Sequence, residues 1–259
     1  MASQAISGSR MILGGYAAIG AGAVTMLGLH VVTGLDPVHT VISEYAFEAD
    51  GWLLPVSLTL FAVAATVIAV LLARRGEDRR AALLVGLWGL CMLLIGAFPT
   101  DEPGVPLSMS GGIHRYAAFV AFLTMPVAGL LLARRRAAGP CARWVRLLSL
   151  ASLGVLVTVV VPYVVRMFGI DLTNEEIPAG VTQRLLVSFE VTVLAMLAVM
   201  ERVRLTPPGR GPEAAAGPEV SVTDGPEASA AGGLKVSAAG GSKVVVVGGP
   251  EVSAIDRSV

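Results

Sequence analysis

Six apolar stretches joined by short polar connectors fill most of the first 205 residues, and that pattern leaves few folds open. They lie near 11–33, 52–73, 81–98, 115–133, 145–168 and 182–201. Each approaches the roughly 20 residues that a helix needs to cross a bilayer. Lipid offers no water to backbone N–H and C=O groups, so each stretch must bond to itself as a helix. The expected fold class is all-α, a six-helix transmembrane bundle over 1–205 with a disordered tail over 206–259. A signal peptide is the competing reading of the first stretch. Its apolar run exceeds the roughly 7–15 residues of such a core, and no small-residue cleavage motif follows it. Composition agrees with a membrane protein. Mean hydropathy is +0.75, and only 15% of residues are charged, against about 25% in soluble domains. The formal net charge is +0, which leaves no basic excess to attract nucleic acid.

Orientation follows from where the arginines fall. Arg10 precedes the first helix, and Arg74, Arg75, Arg79 and Arg80 follow the second. Arg134, Arg135, Arg136, Arg143 and Arg146 follow the fourth, and Arg202 and Arg204 end the sixth. The other connectors carry acids: Asp36, Glu44, Glu48 and Asp50, then Asp101 and Glu102, then Asp171, Glu175 and Glu176. The positive-inside rule places both termini in the cytoplasm and the acidic connectors outside. Arg115, Arg166 and Arg184 stand at outer helix ends, against the trend. Lysine occurs only at positions 235 and 243 among 19 Lys+Arg, a bias that fits a GC-rich bacterial genome and hence a bacterial cytoplasmic membrane.

From Thr206 the composition shifts to Gly, Ala, Pro and Ser, with GPE repeated at 211–213, 217–219, 225–227 and 249–251. Such a segment buries too little apolar surface to order itself. Its VVVV at 244–247 is too short to span and at most pairs transiently as a strand. A protein partner for the tail is one reading, and a drifting repeat expansion the other. Cys91 and Cys141 are expected at opposite depths, as free thiols.

Within the helices, Gly14, Ala18 and Gly22 form a small-residue stripe, expected to pack within the chain. Pro126 and Pro162 are expected to kink helices four and five. Glu190 falls near the middle of helix six, where a charge costs at least about 2.5–3.5 kcal/mol. Gln183 shares its helical face; Arg184 does not. Two readings of Glu190 stand: a proton or cation relay, or a neutral acid hydrogen-bonded between helices.

The outer face gathers His30, His39 and His114 with most of the acids. In DPVHTVISEYAFEADGW, Asp36 and Pro37 read as a cap and first turn of a short interfacial helix, with Tyr45 and Trp52 at headgroup level. Asp36, His39 and Ser43 would share a face, an Asp-His-Ser set that invites a hydrolase reading. Histidine with carboxylates also suits zinc, and carboxylates alone suit calcium or magnesium; His39, Asp101 and His114 are the metal candidates. In FPTDEPGVPLSMSGGIHRY, Ser108 or Ser110 reads as a helix cap. Asp101 with Arg115 would latch the hairpin, while the helix N-terminus, His114 and Arg115 would suit an anion such as a lipid phosphate.

These same patches carry a resemblance. DPVHTVISEYAFEADGW, FPTD…GGIHRYAAFVAF and the QRLL opening helix six resemble the bacterial multi-pass membrane family named domain of unknown function 998, over roughly 10–204. Its signature maps to Asp36, Ser43, Glu44, Tyr45, Pro99, Asp101, Gly111, His114, Gln183 and Arg184. The resemblance implies topology and site location but carries no activity. A more distant similarity is to membrane hydrolases that use Ser, Asp and His around zinc, from which this chain departs in lacking a late HxxxH. The leading expectation is a non-enzymatic outward-facing polar site, centred on Asp36, His39, Ser43, Glu44, Tyr45, Asp101, His114, Arg115 and Arg184. It would bind a cation, a lipid headgroup or a small polar solute. A metal-dependent membrane hydrolase and a structural accessory subunit are the alternatives.

Overall fold

The computed structural model describes residues 2–76, 78–102, 104–136, 139–168, 178–205, 235–239 and 243–247. Asp171, Glu175 and Glu176 of the third acidic connector lie outside these residues, as does most of the expected disordered tail. The chain divides into two units, Met1–Pro208 and Gly209–Val259.

The first unit contains six long helices: α1 (Ala2–Val32), α2 (Leu53–Arg75), α3 (Arg79–Ala97), α4 (Met109–Arg135), α5 (Pro140–Met167) and α6 (Ala179–Leu205). Among the described residues, five helices, α1 to α5, are long and apolar enough to cross a membrane. The protein is therefore a multi-pass membrane protein. Consecutive helices pack side by side, and α6 also packs against α1, α2 and α4. That central position explains why α6 carries Arg184, Glu190 and Glu201: neighbouring helices, not lipid, surround its polar groups.

Helix boundaries follow local chemistry. α4 begins at Met109, a turn and a half before the apolar run, because the Ser108 hydroxyl accepts the Gly111 N–H at 3.1 Å. Asp78 caps α3 by accepting from the N–H groups of Arg80 and Ala81 at 3.0 and 3.2 Å. α2 ends at Gly76, whose φ of 66° is a left-handed cap that glycine takes without strain. Pro126 lies inside an unbroken α4, and Pro162 inside α5.

Small residues set the closest helix approaches, as expected where lipid removes the hydrophobic gain of association. A Cβ at Gly22 would stand 2.8 Å from the Phe61 ring, and one at Gly89 would stand 3.1 Å from Ala65. Gly129 of α4 lies directly against the Ser149 hydroxyl and Val145 of α5. The small-residue stripe of α1 is shifted from its expected line. Gly15, Ala18 and Gly22 are buried, whereas Gly14 faces open space. Gly22 meets Phe61 and Ser57 of α2, so this stripe packs within the chain, and the Ser57 hydroxyl donates to the Gly22 carbonyl at 2.8 Å.

The described residues of the second unit are two five-residue strands, β1 (Lys235–Ala239) and β2 (Lys243–Val247), paired antiparallel with Lys235 opposite Val247. The VVVV run lies in β2. Both cysteines are free.

Candidate functional site at the acidic end

The first acidic connector folds inward onto the start of α6. Asp36 accepts the Val38 N–H at 2.9 Å and the His39 Nδ1–H at 2.7 Å. These bonds, the backbone one first, hold the Asp36 carboxyl below its ordinary range. The short helix expected in this connector is present as a 3-10 helix over Ile42–Phe47. Tyr45 is only 1% exposed, so it is a core residue, while Trp52 is exposed at 61%. The reason is Arg184. Its guanidinium donates to the carbonyls of Pro37 and Thr40 at 2.9 and 2.7 Å and to the Tyr45 hydroxyl. It also lies 5.5 Å from the centre of the Tyr45 ring, whose edge faces His30 at 5.1 Å. Beside it, the Gln183 side chain accepts the Ile42 N–H, and the Val181 N–H donates to Val38 O at 3.2 Å. A side chain at Gly180 would collide with Thr40 O and Pro37 O. Arg184 and Gln183 thus fasten the connector. Glu44, half-buried in the 3-10 helix, has its carboxyl pushed up by that burial.

The second connector is latched from within. Asp101 accepts the Ser108 hydroxyl, and also its N–H at 2.9 Å. The hydroxyl first, then the N–H, holds the Asp101 carboxyl below its ordinary range. The partner of Asp101 is therefore Ser108, and among the described residues Arg115 forms no ion pair with it. Gly111 has no room for a Cβ because the Asp101 carboxylate fills that space. Ser110 donates to Pro99 O at 2.9 Å, and His114 Nδ1–H donates to Phe98 O at 2.8 Å. A carbonyl can only accept, so Nδ1 carries the proton, and the Ile95 carbonyl also bears on the ring.

The expected constellation is thus split. Asp36 and His39 pair on the surface, about half exposed. Ser43 instead lines an interior cavity, and no hydrogen bond joins it to His39 among the described residues. His39, Asp101 and His114 each have a separate local partner. Among the described residues no three His, Cys, Asp or Glu side chains converge to hold a metal.

Two voids open between the helices here. The larger, about 470 Å³, lies among α4, α5 and the start of α6. Thr100, His114, Arg115, Thr182 and Gln183 give it polar positions, and Phe119, Phe122, Leu156, Val159 and Val160 give it apolar walls. The smaller, about 40 Å³, lies deeper and reaches Glu190 and Trp88. Ser43, His114, Ala118, Phe122 and Gln183 line both. Glu190 is 1% exposed and accepts the Trp88 Nε1–H at 2.8 Å on Oε2.

Sequence reasoning missed Trp88 and the acids of the arginine-rich end. Glu201, fully buried, takes Arg136 at 2.7 Å and Arg75 at 3.5 Å. Asp78 takes Arg135 at 2.8 Å while capping α3. A signal was present: each is an acid embedded among arginines, and Asp78 stands just before a helical run.

No curated protein and no solved structure matches the chain. The family described as Protein of unknown function (DUF998) matches residues 15–200. That span includes both latched connectors, both voids and nearly all of the helical unit, and the chain belongs to this family.

Proposed function

We propose that this multi-pass protein binds an amphipathic, lipid-class ligand with an anionic headgroup, in the pocket among α4, α5 and α6. The observation that carries the reading is the pocket itself. Its volume of about 470 Å³ falls within the roughly 300–1,000 Å³ usual for small-molecule sites. Its composition is divided: aromatic and branched aliphatic walls suit an acyl chain, and Arg115, Thr100, Thr182 and Gln183 suit a phosphate or carboxylate with its hydroxyls. Arg115 is exposed and has no ion-pair partner among the described residues, so its charge is available to a ligand. The arginine distribution argues that this end faces away from the cytoplasm, which would draw the ligand from the outer leaflet.

Native mass spectrometry of the detergent-extracted full chain tests this. The wild type should retain an anionic phospholipid. Arg115→Ala should weaken retention about fivefold, the equivalent of the roughly 1 kcal/mol an arginine contributes near an anionic lipid. Phe122→Trp, which fills the pocket, should abolish it, whereas Leu27→Trp on the exposed face of α1 should not. Equal retention in all four proteins would sink the proposal.

A further inference from the structure

Glu190 is the buried acid that the ligand reading does not use. Its Oε2 accepts the Trp88 N–H at 2.8 Å, while Oε1 is buried without a hydrogen-bond partner among the described residues. Glu190 is among the residues that line the smaller cavity, whose volume of about 40 Å³ is space for about three or four waters at ~10–15 Å³ each. α1 contributes Met26 and α2 contributes Leu54, Leu58 and Phe61 to that wall, all apolar. α3 contributes Trp88, the 3-10 helix Ser43, α4 His114, and α6 Gln183. Among the described residues, His114 is therefore the one other titratable group on the wall, and no Lys, Arg or Asp lines it.

An ionised carboxylate there would rest on one N–H with no cation beside it among the described residues, a costly arrangement in an apolar interior. A neutral carboxylic acid keeps the Trp88 bond and can donate its own O–H from Oε1 to a cavity water. Toward the arginine-rich end, the next turns of α6 are closed by Val193, Leu194 and Leu197, all at most 1% exposed. Toward the acidic end, the cavity shares His114, Ser43 and Gln183 with the open pocket.

We infer that Glu190 is a proton-binding site, loaded and emptied from the acidic end through the water-sized cavity that His114 and Gln183 separate from the pocket. In the loading step a proton from pocket water passes by way of His114 and cavity water to the Glu190 carboxylate. A carboxylate and one proton become a neutral acid, and the histidine returns to its Nδ1–H form, still bonded to Phe98 O. Unloading is the reverse. The proposal stands independently of any lipid in the pocket.

Infrared spectroscopy of the full chain in lipid nanodiscs tests it. The wild type should show a neutral carboxylic acid C=O band that Glu190→Gln removes and that shifts when the medium is exchanged for D₂O. His114→Phe should slow that shift at least about tenfold, corresponding to about 1.4 kcal/mol of added barrier. In a Trp52→Phe, Trp144→Phe background, Trp88 emission reports separately whether the Glu190→Gln protein keeps its interior packed. With packing intact, a spectrum unchanged by Glu190→Gln would overturn the assignment of the proton. An exchange rate unaffected by His114→Phe would overturn the route.

Discussion

Replacing Arg184 with alanine probes how the acidic end is held together. Three hydrogen bonds depend on this guanidinium, to Pro37 O at 2.9 Å, Thr40 O at 2.7 Å and the Tyr45 hydroxyl. Bonds to a charged group contribute about 1.5–3 kcal/mol each when their partners are shielded. The Pro37 carbonyl is exposed, so water replaces that bond at little loss, leaving the two part-buried bonds to count. Their sum is reduced because one side chain makes both, so the expected loss is about 2–4 kcal/mol. Denaturant unfolding in mixed micelles measures it, with limited proteolysis of residues 36–41 as a local readout. Arg184→Lys should recover no more than about half, because an ammonium cannot span the same fork. If Arg184→Ala unfolds within about 0.5 kcal/mol of wild type, and the connector stays protected, the latch is wrong.

Other consequences are as direct. Glu201→Gln removes the fully buried charge that holds both Arg136 and Arg75, and unfolding should show a loss of about 3–5 kcal/mol; an unchanged midpoint would deny these ion pairs a role. Gly22→Leu forces a side chain into Phe61 and should destabilise by about 1–3 kcal/mol, while Gly14→Leu, in open space, should be neutral. The reverse order would mean that α1 packs through its other face. Ser108 holds Asp101 below its ordinary value of 3.8, so the latch contributes fully above that value and is lost as pH falls through the lower folded one. Asp101→Asn should therefore flatten the acid limb of a melting-temperature profile; an acid limb identical to wild type would place its cause elsewhere.

The bundle was legible because bilayer thickness and backbone hydrogen bonding turn a run of apolar residues into a helix of known length. Glu190 was legible for the same reason, as a charge where lipid tolerates few. Its partner was not, since Trp88 lies 102 positions away and nothing local couples the two. Tyr45 was read as an interfacial anchor because composition cannot reveal that Arg184 draws it inward. Asp101 was matched to Arg115 by charge, although Ser108 reaches it first through the geometry of a helix cap. Asp36, Asp101 and His114 were candidates for chemistry, and their closest partners are local turns and caps. What chain order conceals is the convergence of α4, α5 and α6 that opens the pocket.

Photolabelling with an anionic phospholipid analogue carrying a diazirine in its acyl chain tests the lipid-binding claim most directly. The full chain in native-like lipid is irradiated, digested and mapped. Labels should concentrate on residues 115–122 of α4 and 156–160 of α5, and Arg115→Ala should disperse them. Labels spread evenly over lipid-facing positions, such as Val24, Leu27 and Val31 of α1, would show ordinary bilayer contact and contradict a binding site.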